Sequence, residues 1–589
     1  MIPPSRRRDA LIGALAGIIG GFILALALQA KGMMSDTAGL IGLTSIESGL
    51  ALHLTVSTLA GAGYGALFRY QRGAYAAAIS TGVIYGLIWW IVGPLTLSPI
   101  LMGQGPTWSL GEAGASFLNL TGHILFGGIT GFSFYVLVTA YERWFPESHE
   151  GVSAPPPPRT RVVILGGGFG GVSTAQRLEK LTARDESFDV TLVSQSNYLL
   201  FTPMLAEVAS SALQAQHIST PVRAACPYTR FLRAAVEGID TEAKTVRLLP
   251  GIDLPPESLE YDHLVLALGS VPYYHGLTGM EAHSFTLKTL EDATRLRNHV
   301  LAVLERADVE PEVVERRRQL TFVVVGGGFA GTEVVAELFD LVHGVLHYYP
   351  RIEREDLRFV LVHSRDRILP ELSHQLAEYS LRKLRGRGIE FLLESRVTEA
   401  TSEAVKLDEG RNIPTRTIVW TAGNQPNPLL KTIRGETDPR GAVIADRSLR
   451  VVGLDDVWAI GDCANVPDPQ GHAYPPTAQH ALREGKLVAE NIIASVDGGG
   501  LKEFRYRSVG LLVALGHRTG AAEIMGRRFS GLLAWLLWRG LYLSKLPGLE
   551  KKVRVSLDWI LDLFFPRDIA LTVDTAVHNT REKTSKRTI

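Results

Sequence analysis

Arg161 to Gly171 reads RVVILGGGFGG. Four apolar residues, Val162 to Leu165, run straight into glycines, and a helical pattern follows through Ser173, Thr174, Ala175, Gln176, Arg177 and Leu178. That is strand, tight turn, helix. Gly166, Gly168 and Gly171 fill the three glycine places of G-x-G-x-x-G. The first lets the chain turn, the second lets backbone approach a pyrophosphate, and the third lets helix pack close on strand. The helix N-terminus then attracts the phosphate charge. Alone, the pattern also fits an ordinary glycine turn. A second copy decides the matter: Thr321 to Glu333 reads TFVVVGGGFAGTE, with Gly326, Gly328 and Gly331 in the same places. Two cradles imply two dinucleotides and an α/β body of two Rossmann-like lobes.

Such a pair is typically one bound flavin and one nicotinamide. After the first cradle, Asp189 to Val193 (DVTLV) reads as the next parallel strand. An acid usually ends this strand and binds the adenosine ribose; here Ser194 and Gln195 follow, leaving the Ser194 hydroxyl or Asn197 for that task. Short strands are expected at Phe231–Leu232, Ala235–Asp240 and Thr245–Leu248, and Tyr261 to Gly269 reads as a strand into a glycine turn. After the second cradle, Arg358 to Val362 runs into His363, Ser364, Arg365, Asp366 and Arg367. An acid at 363 would select a free 2′-hydroxyl. None is there, and Arg365 or Arg367 is a candidate for the phosphate of NADPH, so NADH and NADPH both stand. Thr417 to Gly423 (TIVWTAG) hands the chain back to the first lobe. Val457 to Asp462 (VWAIGD) then places a carboxylate at a strand end, suited to a sugar-chain hydroxyl of a flavin. Pro475 to Gly485 (PPTAQHALREG) opens a helix whose N-terminal dipole favours a reduced, anionic flavin.

A chain of 589 residues requires several domains. Its zero net charge hides an uneven distribution: residues 1–150 carry seven basic and seven acidic side chains, 151–500 carry 37 and 45, and 501–589 carry 16 and 8. The basic tail points to an anionic membrane surface; no motif for nucleic acid accompanies it. Four apolar runs, roughly Ala10–Ala30, Gly49–Phe68, Ala74–Ile100 and Ala113–Tyr141, each have the length to cross a ~30 Å hydrocarbon layer. Arg6, Arg7 and Arg8 precede the first run, Arg69 and Arg72 join the second to the third, and Arg143 follows the fourth. The other connections carry Lys31, Asp36, Glu47 and Glu112. Positive-inside bias therefore puts both ends in the cytoplasm. A cleaved signal peptide is the competing reading of residues 1–30. Gly13/Gly17 and Gly61/Gly65 are pairs that let helices approach closely. His53 and His123 lie within spans; a quinone contact or haem ligand pair competes with histidines simply hydrogen-bonded between helices. Four prolines, Pro155 to Pro158, mark residues 146–160 as an extended spacer. From Arg527 to Phe565, apolar residues at helical spacing (Leu532, Leu533, Leu536, Leu537; Leu557, Ile560, Leu561, Phe564) stand beside Arg539, Lys545, Lys551, Lys552 and Arg554. That describes basic amphipathic helices in a headgroup layer, or a dimer interface. The last fifteen residues read as a polar tail.

The only cysteines are Cys226 and Cys463. No disulfide framework, zinc site or other metal site is expected from them, and both read as small buried residues. Flavoenzymes that oxidise sulfide need paired redox thiols, and this chain offers no evident pair.

The two cradles, together with FTPMLAEVA, TIVWTAGNQPNPLL, AIGDCANV and PPTAQHALREGK, resemble the type II NADH:quinone dehydrogenases over about residues 160–565. The resemblance implies FAD in the first lobe, NAD(P)H in the second, and a quinone reaching the flavin from a lipid bilayer. By position, Gly166, Gly168, Gly170, Gly171, Ser194, Gly269, Gly461, Asp462, Thr477 and Ala478 fall on the flavin side. Gly326, Gly328, Gly331 and Glu333 fall on the nicotinamide side, and Gln479 between flavin and quinone. Glu333 and Gln479 are the candidate catalytic residues; a first-turn glutamate stabilising its own helix is the plainer reading of Glu333. Arg483 stands where the family often has a second glutamine. The expected domains are 1–145 (four transmembrane helices), 146–160 (linker), 161–285 and 426–500 (FAD), 286–425 (NAD(P)H) and 501–589 (membrane association). The expected activity is a membrane-bound, non-proton-pumping NADH:quinone oxidoreductase, multi-pass, with its flavoprotein part cytoplasmic and a homodimeric state. The rivals are a sulfide:quinone oxidoreductase-like enzyme and a regulatory or transport-coupled membrane flavoprotein.

Overall fold

The computed structural model describes residues 6–30, 34–40, 42–68, 75–103, 105–108, 117–144, 159–183, 187–250, 257–408 and 410–571. The proline run, Lys31, Arg69, Arg72, Glu112 and the polar tail lie outside these residues. The chain divides into two compact units, Met1–Ala154 and Pro155–Ile589.

The first unit is helical, as its apolar runs require. Its long helices are α1 (Arg6–Ala30), α2 (Ile46–Leu67), α3 (Tyr75–Val92) and α4 (Phe117–Trp144). Four stretches are long and apolar enough to cross a membrane: Arg7–Leu26, Ile46–Leu67, Tyr75–Leu101 and Asn119–Trp144. Two glycine-seamed hairpins build the unit. A Cβ on Gly13 or Gly61 would overlap the carbonyl oxygen of the other. The second hairpin repeats the device with Gly82, Gly86, Gly127 and Gly131, a set of contacts between α3 and α4 that the sequence reading missed. Two tyrosines cross-link α2 and α3: Tyr64 donates to Ala78 O at 2.9 Å and Tyr85 to Ala60 O at 2.8 Å. Past Val92, Pro94 has no N–H to give the helical ladder, and Gly93–Leu97 widens into a π-turn. His53 Nε2 bonds across to Gly21 O at 3.0 Å, whereas His123 Nδ1 bonds within its own helix to Asn119 O at 2.8 Å. The interhelical reading thus holds for His53 alone, and no group of three or more metal-ligating side chains exists among the described residues.

In the second unit the first cradle joins β1 (Thr160–Leu165) to α5 (Phe169–Leu181). Then come β2 (Phe188–Ser194), β3 (Arg230–Asp240), β4 (Thr245–Pro250), β5 (Glu257–Glu260) and β6 (His263–Leu266). The two short strands expected at 231–232 and 235–240 are one strand, β3, with a register shift between Val236 and Gly238. Strand β1 is paired in parallel with β2 on one side and β6 on the other. That central position opens a crevice at its carboxyl end, where open α/β sheets bind ligands.

The second lobe repeats the plan. After α6 (Leu290–Val309), β7 (Thr321–Val325) leads into α7 (Phe329–Val345), then β8 (Arg358–Val362), α8 (His374–Arg385), β9 (Ile389–Leu392) and β10 (Thr417–Trp420). Its four strands are parallel, in the order β9-β8-β7-β10. An antiparallel ribbon of Ser270–Pro272 and Asn424–Pro426 carries the chain out of the first lobe and back. It returns through β11 (Val457–Ala459), which extends the first sheet beside β6, and α9 (Ala478–Val496), which packs on α5. Close packing there needs Gly485, where a Cβ would overlap the Gly170 carbonyl oxygen.

The C-terminal region holds more than helices. A three-stranded antiparallel sheet, β12 (Gly510–Ala514), β13 (Gly520–Ile524) and β14 (Arg527–Ser530), precedes α10 (Gly531–Lys545) and α11 (Leu549–Phe564). Trp538 and Trp559 belong to the core of the second lobe, while Leu532, Leu533, Leu536, Leu557, Ile560, Leu561 and Phe564 are exposed. With leucines outward and tryptophans inward, α10 and α11 are amphipathic.

Candidate functional site

Both cradles have the geometry that a pyrophosphate requires. Gly166 and Gly326 each stand at φ 116°, in backbone territory that a side chain disfavours. A Cβ on Gly171 would overlap Gly166 O, and one on Gly331 would overlap Gly326 O. A Cβ on Gly168 or Gly328 would instead meet nothing within 4 Å: these glycines open onto space. Gly168 and Gly328 are also the N-caps of α5 and α7, and neither helix has a side-chain cap. By contrast α6 is closed by a Thr289/Asp292 capping box, and α9 by Thr477. Uncapped amides facing open space at two helix N-termini suit two phosphate groups. The residues present therefore fit a dinucleotide at each cradle.

Around the first cradle, Asp462 lies in a turn just past β11 rather than on the strand itself. Its carboxylate accepts from Ser270 Oγ at 2.6 Å, and Ser270 Oγ accepts from Lys288 Nζ at 2.9 Å. Burial pulls the Lys288 ammonium below its ordinary range, opposed by the Asp462 charge. Gly461, at φ 70°, donates its N–H to Glu484 Oε2 at 2.7 Å, and burial pushes that carboxyl up to about 7. Gly269 is a second left-handed turn, at φ 67°. Ser194 sits at the end of β2 with its hydroxyl against Gly167, where a Cβ would come within 2.7 Å of it. Thr477 caps α9 through His480 N–H and hydrogen-bonds the His480 ring at 2.7 Å, leaving Ala478 as the first helical residue.

Gln479 is gripped from the far side. Tyr506 donates its hydroxyl to Gln479 Oε1 at 2.6 Å, and the Arg483 guanidinium lies 4.0 Å from the centroid of the Tyr506 ring. Arg483 also donates to Gln479 O at 2.8 Å. The arginine that departs from the family pattern thus stiffens the glutamine that keeps it.

Glu333 is not a first-turn helix stabiliser: the first turn of α7 has no acid. Its Oε1 accepts from Ala514 N–H of β12 at 3.1 Å, and burial pushes its carboxyl up to about 8. It heads a face of acids. Glu337 accepts from Ser210 Oγ at 2.7 Å and pairs with Arg567 at 3.1 Å; Asp340 pairs with Arg387 and accepts from His517 N–H at 2.6 Å. Opposite them Glu207, from the FTPMLAEVA stretch, accepts from Trp559 Nε1 at 3.2 Å, with Arg539 3.8 Å away. Burial raises both Glu207 and Asp340.

Cys226 and Cys463 are both free and buried, as expected. Burial pushes their thiols up to about 12 and about 11, and each sulfur points at backbone carbonyls, Val172 O and Leu266 O respectively. Neither is placed for thiolate chemistry.

Lys288, Ser270, Glu484, Tyr506 and Glu207 escaped the sequence reading. Each lies far along the chain from its partner. The one available signal was chemical: an acid in the turn after a core strand calls for a positive group, and FTLKTL (Phe285–Leu290) contains a lysine between two leucines and two threonines.

A model of the pyridine nucleotide-disulphide oxidoreductase family matches residues 160–485. A probable NADH dehydrogenase of Dictyostelium discoideum is 32% identical over 70% of this chain and 91% of its own length. A demethylphylloquinone reductase of Synechocystis is 33% identical over 68% of this chain and 96% of its own. Among solved structures, NDH2 from Plasmodium falciparum in complex with NADH superposes with a TM-score of 0.65, covering 70% of this chain and 100% of that one at 19% identity, a likeness of fold. The chain belongs to the pyridine nucleotide-disulphide oxidoreductase family and, within it, to the type II NADH:quinone oxidoreductases.

Proposed function

We propose that this chain oxidises NADH and reduces a membrane quinone through FAD, without pumping protons. The observation that carries the reading is the pair of uncapped helix N-termini, Gly168 and Gly328, each opening onto space at the end of a central parallel strand. FAD held at the first cradle would supply the redox chemistry, hydride acceptance from a nicotinamide and two-electron delivery to a quinone.

The protein's part is orientation and charge. Gly166, Gly168, Gly170 and Gly171 would let backbone amides hold the pyrophosphate of FAD, Ser194 would serve its ribose, and Gly269 and Gly461 shape the turns beside the cradle. Asp462 would accept from a hydroxyl of the flavin side chain, and Lys288 through Ser270 aims that carboxylate. Thr477 and Ala478 open α9, whose N-terminal dipole favours negative charge on the ring. Gly326, Gly328 and Gly331 serve the nicotinamide dinucleotide in the same way. Glu333, protonated below about 8, holds a proton beside α7 without placing a charge there. Gln479, fixed by Tyr506, orients the quinone headgroup.

The four apolar helices of the first unit anchor the enzyme as a multi-pass membrane protein. Arg6–Arg8 and Arg143 support a cytoplasmic location for both ends and for the flavoprotein that follows. The exposed leucines of α10 and α11 lie in the headgroup layer, and two copies form a homodimer. The deciding experiment is turnover. The detergent-solubilised protein should be yellow, bleach on adding NADH, and recover colour on adding a short-chain quinone. A colourless protein that takes up no added FAD would refute the reading, and quinone turnover too slow to match bleaching would favour a regulatory flavoprotein.

A further inference from the structure

Strands β1, β6 and β11 stand side by side in parallel and end at one carboxyl edge of the first sheet. Two of the turns that follow them are left-handed: Gly269 at φ 67° after β6, and Gly461 at φ 70° after β11. A Cβ on Gly269 would meet nothing within 4 Å, so this corner of the edge opens onto space, as Gly168 does at the end of β1. The residue after each of the two glycines sends a polar side chain to one spot. There Ser270 Oγ donates to Asp462 Oδ2 at 2.6 Å and accepts from Lys288 Nζ at 2.9 Å.

Lys288 reaches that spot from the far end of the outgoing ribbon. It stands just before α6, where its backbone N–H and that of Thr289 each donate to Asp292 Oδ2 at 3.0 Å. The helix cap thus fixes the root of the side chain. Its ammonium has three N–H bonds but a single acceptor, Ser270 Oγ, among the described residues. Burial works against its charge, and the Asp462 carboxylate works for it. Orienting one serine hydroxyl does not call for an ammonium. A neutral amide of similar reach would do so at a smaller desolvation cost. What the lysine adds is positive charge, which acts beyond hydrogen-bond distance in a site that excludes water.

We propose that Lys288 has a second task besides aiming Asp462: it is the counter-charge for the electron pair received at the first cradle, and it sets the flavin potential through space rather than by contact. This rests on the assignment of the first cradle to FAD. The sign does not depend on fine geometry, because a cation near a ring that gains negative charge favours the reduced form. The test is a redox titration of the full-length, FAD-loaded protein, which reads a potential and not a rate. Lys288→Met removes the charge and the donor; Lys288→Gln removes the charge but keeps a donor for Ser270. In both, reduced flavin should be held about tenfold less tightly relative to oxidised flavin, a fall of about 30 mV in a two-electron midpoint. Lys288→Arg should stay near the parent value. Ser270→Ala breaks the hydrogen-bond chain but leaves the charge, so its midpoint should also stay near the parent's. Where a variant releases its flavin on purification, titration with added oxidised and reduced FAD gives the same ratio. An unshifted midpoint in Lys288→Met and Lys288→Gln, or a shift as large in Ser270→Ala, overturns the inference and leaves the lysine acting only through Asp462. A colourless parent protein that takes up no FAD would instead strike the assignment of the first cradle, so the two failures are told apart.

Discussion

Gly166 and Gly326 share φ 116°, and Gly168 and Gly328 stand at φ −80°, ψ −167° and φ −77°, ψ −169°. Gly166 N–H donates to Val193 O and Gly326 N–H to Val362 O, both at 2.8 Å. Counting on from those glycines, Ser173 of α5 matches Glu333 of α7, Arg177 matches Glu337, and Lys180 matches Asp340. Here the likeness stops. Ser173 donates to Leu482 O of α9 at 2.7 Å, while Glu333 accepts from Ala514 N–H of β12 at 3.1 Å. Arg177 pairs with Glu490 of α9 at 2.6 Å, while Glu337 pairs with Arg567 at 3.1 Å. The same helix face docks in both lobes, with opposite charge and on different partners. Phosphate chemistry dictates the loop; the segment that covers each helix dictates its face.

The largest effects should come from breaking one loop and sparing the other. Gly166→Ala puts a Cβ onto the Ala267 carbonyl at a φ that costs a side chain about 1–3 kcal/mol before any clash. The purified variant should lose its flavin absorbance. Gly326→Ala puts a Cβ 2.5 Å from Thr421 Oγ1. That variant should stay yellow and no longer bleach with NADH. Exchange of these phenotypes, or loss of colour in both, would mean the two cradles do not divide their ligands as argued.

Next comes the matched pair of ion pairs. The side chains of Arg567 and Glu337 are 9% and 7% exposed, those of Arg177 and Glu490 36% and 25%. Removing Arg567 strands a buried carboxylate, so Arg567→Ala should cost about 3–5 kcal/mol in denaturant unfolding. Arg177→Ala, at the equivalent face in the first lobe, should cost about 0.2–1 kcal/mol. Equal losses would deny that the second helix face is the more deeply covered one.

The Ser173/Glu333 difference has a pH signature. Glu333 titrates near 8 in the fold against 4.5 for a free glutamate, so between those values the folded protein binds more protons than the unfolded one. Its contribution is complete below about 4.5 and is lost as pH rises toward 8. Thermal stability should therefore fall over that window, with a slope from this group of at most about 1.4 kcal/mol per pH unit. Glu333→Gln should flatten the slope without abolishing it, because Glu484 is raised to about 7 and contributes in the same sense. Ser173→Ala should leave the slope untouched. An unchanged profile in Glu333→Gln would place its carboxyl in contact with water.

What could be read in the chain follows the same division. The cradles were legible because steric demands at Gly166, Gly168 and Gly171 leave few alternatives, and because the chain states them twice. The faces of α5 and α7 were not, because Glu333, Glu337 and Asp340 acquire meaning only when β12 and Arg567 arrive from some 200 residues away. Trp538 and Trp559 are ambiguous in the sequence for a related reason: an aromatic on an amphipathic helix suits a headgroup layer as well as a core, and for Trp559 the bond to Glu207 decides between them. The glycine seam of α3 and α4 was written as plainly as that of α1 and α2, but within a run so apolar that its small residues did not stand out.

The smallest effect tests where the first lobe ends and the acceptor begins. Gln479 lies on α9, the helix that covers α5, so its environment belongs to the flavin side of the comparison. Tyr506→Phe removes the 2.6 Å bond to Gln479 Oε1 but keeps a ring beneath the Arg483 guanidinium. Loss of one such bond costs about 0.5–1.5 kcal/mol. Quinone reduction should slow by roughly 2- to 10-fold, which is that range converted to a rate. NADH reduction of a small water-soluble dye at the flavin should not change, since no group serving the second cradle is touched. If both reactions slowed together, Tyr506 would be supporting the whole flavin pocket through α9. If neither did, Gln479 would be held well enough by its own helix, and the quinone headgroup would have to find its partner elsewhere.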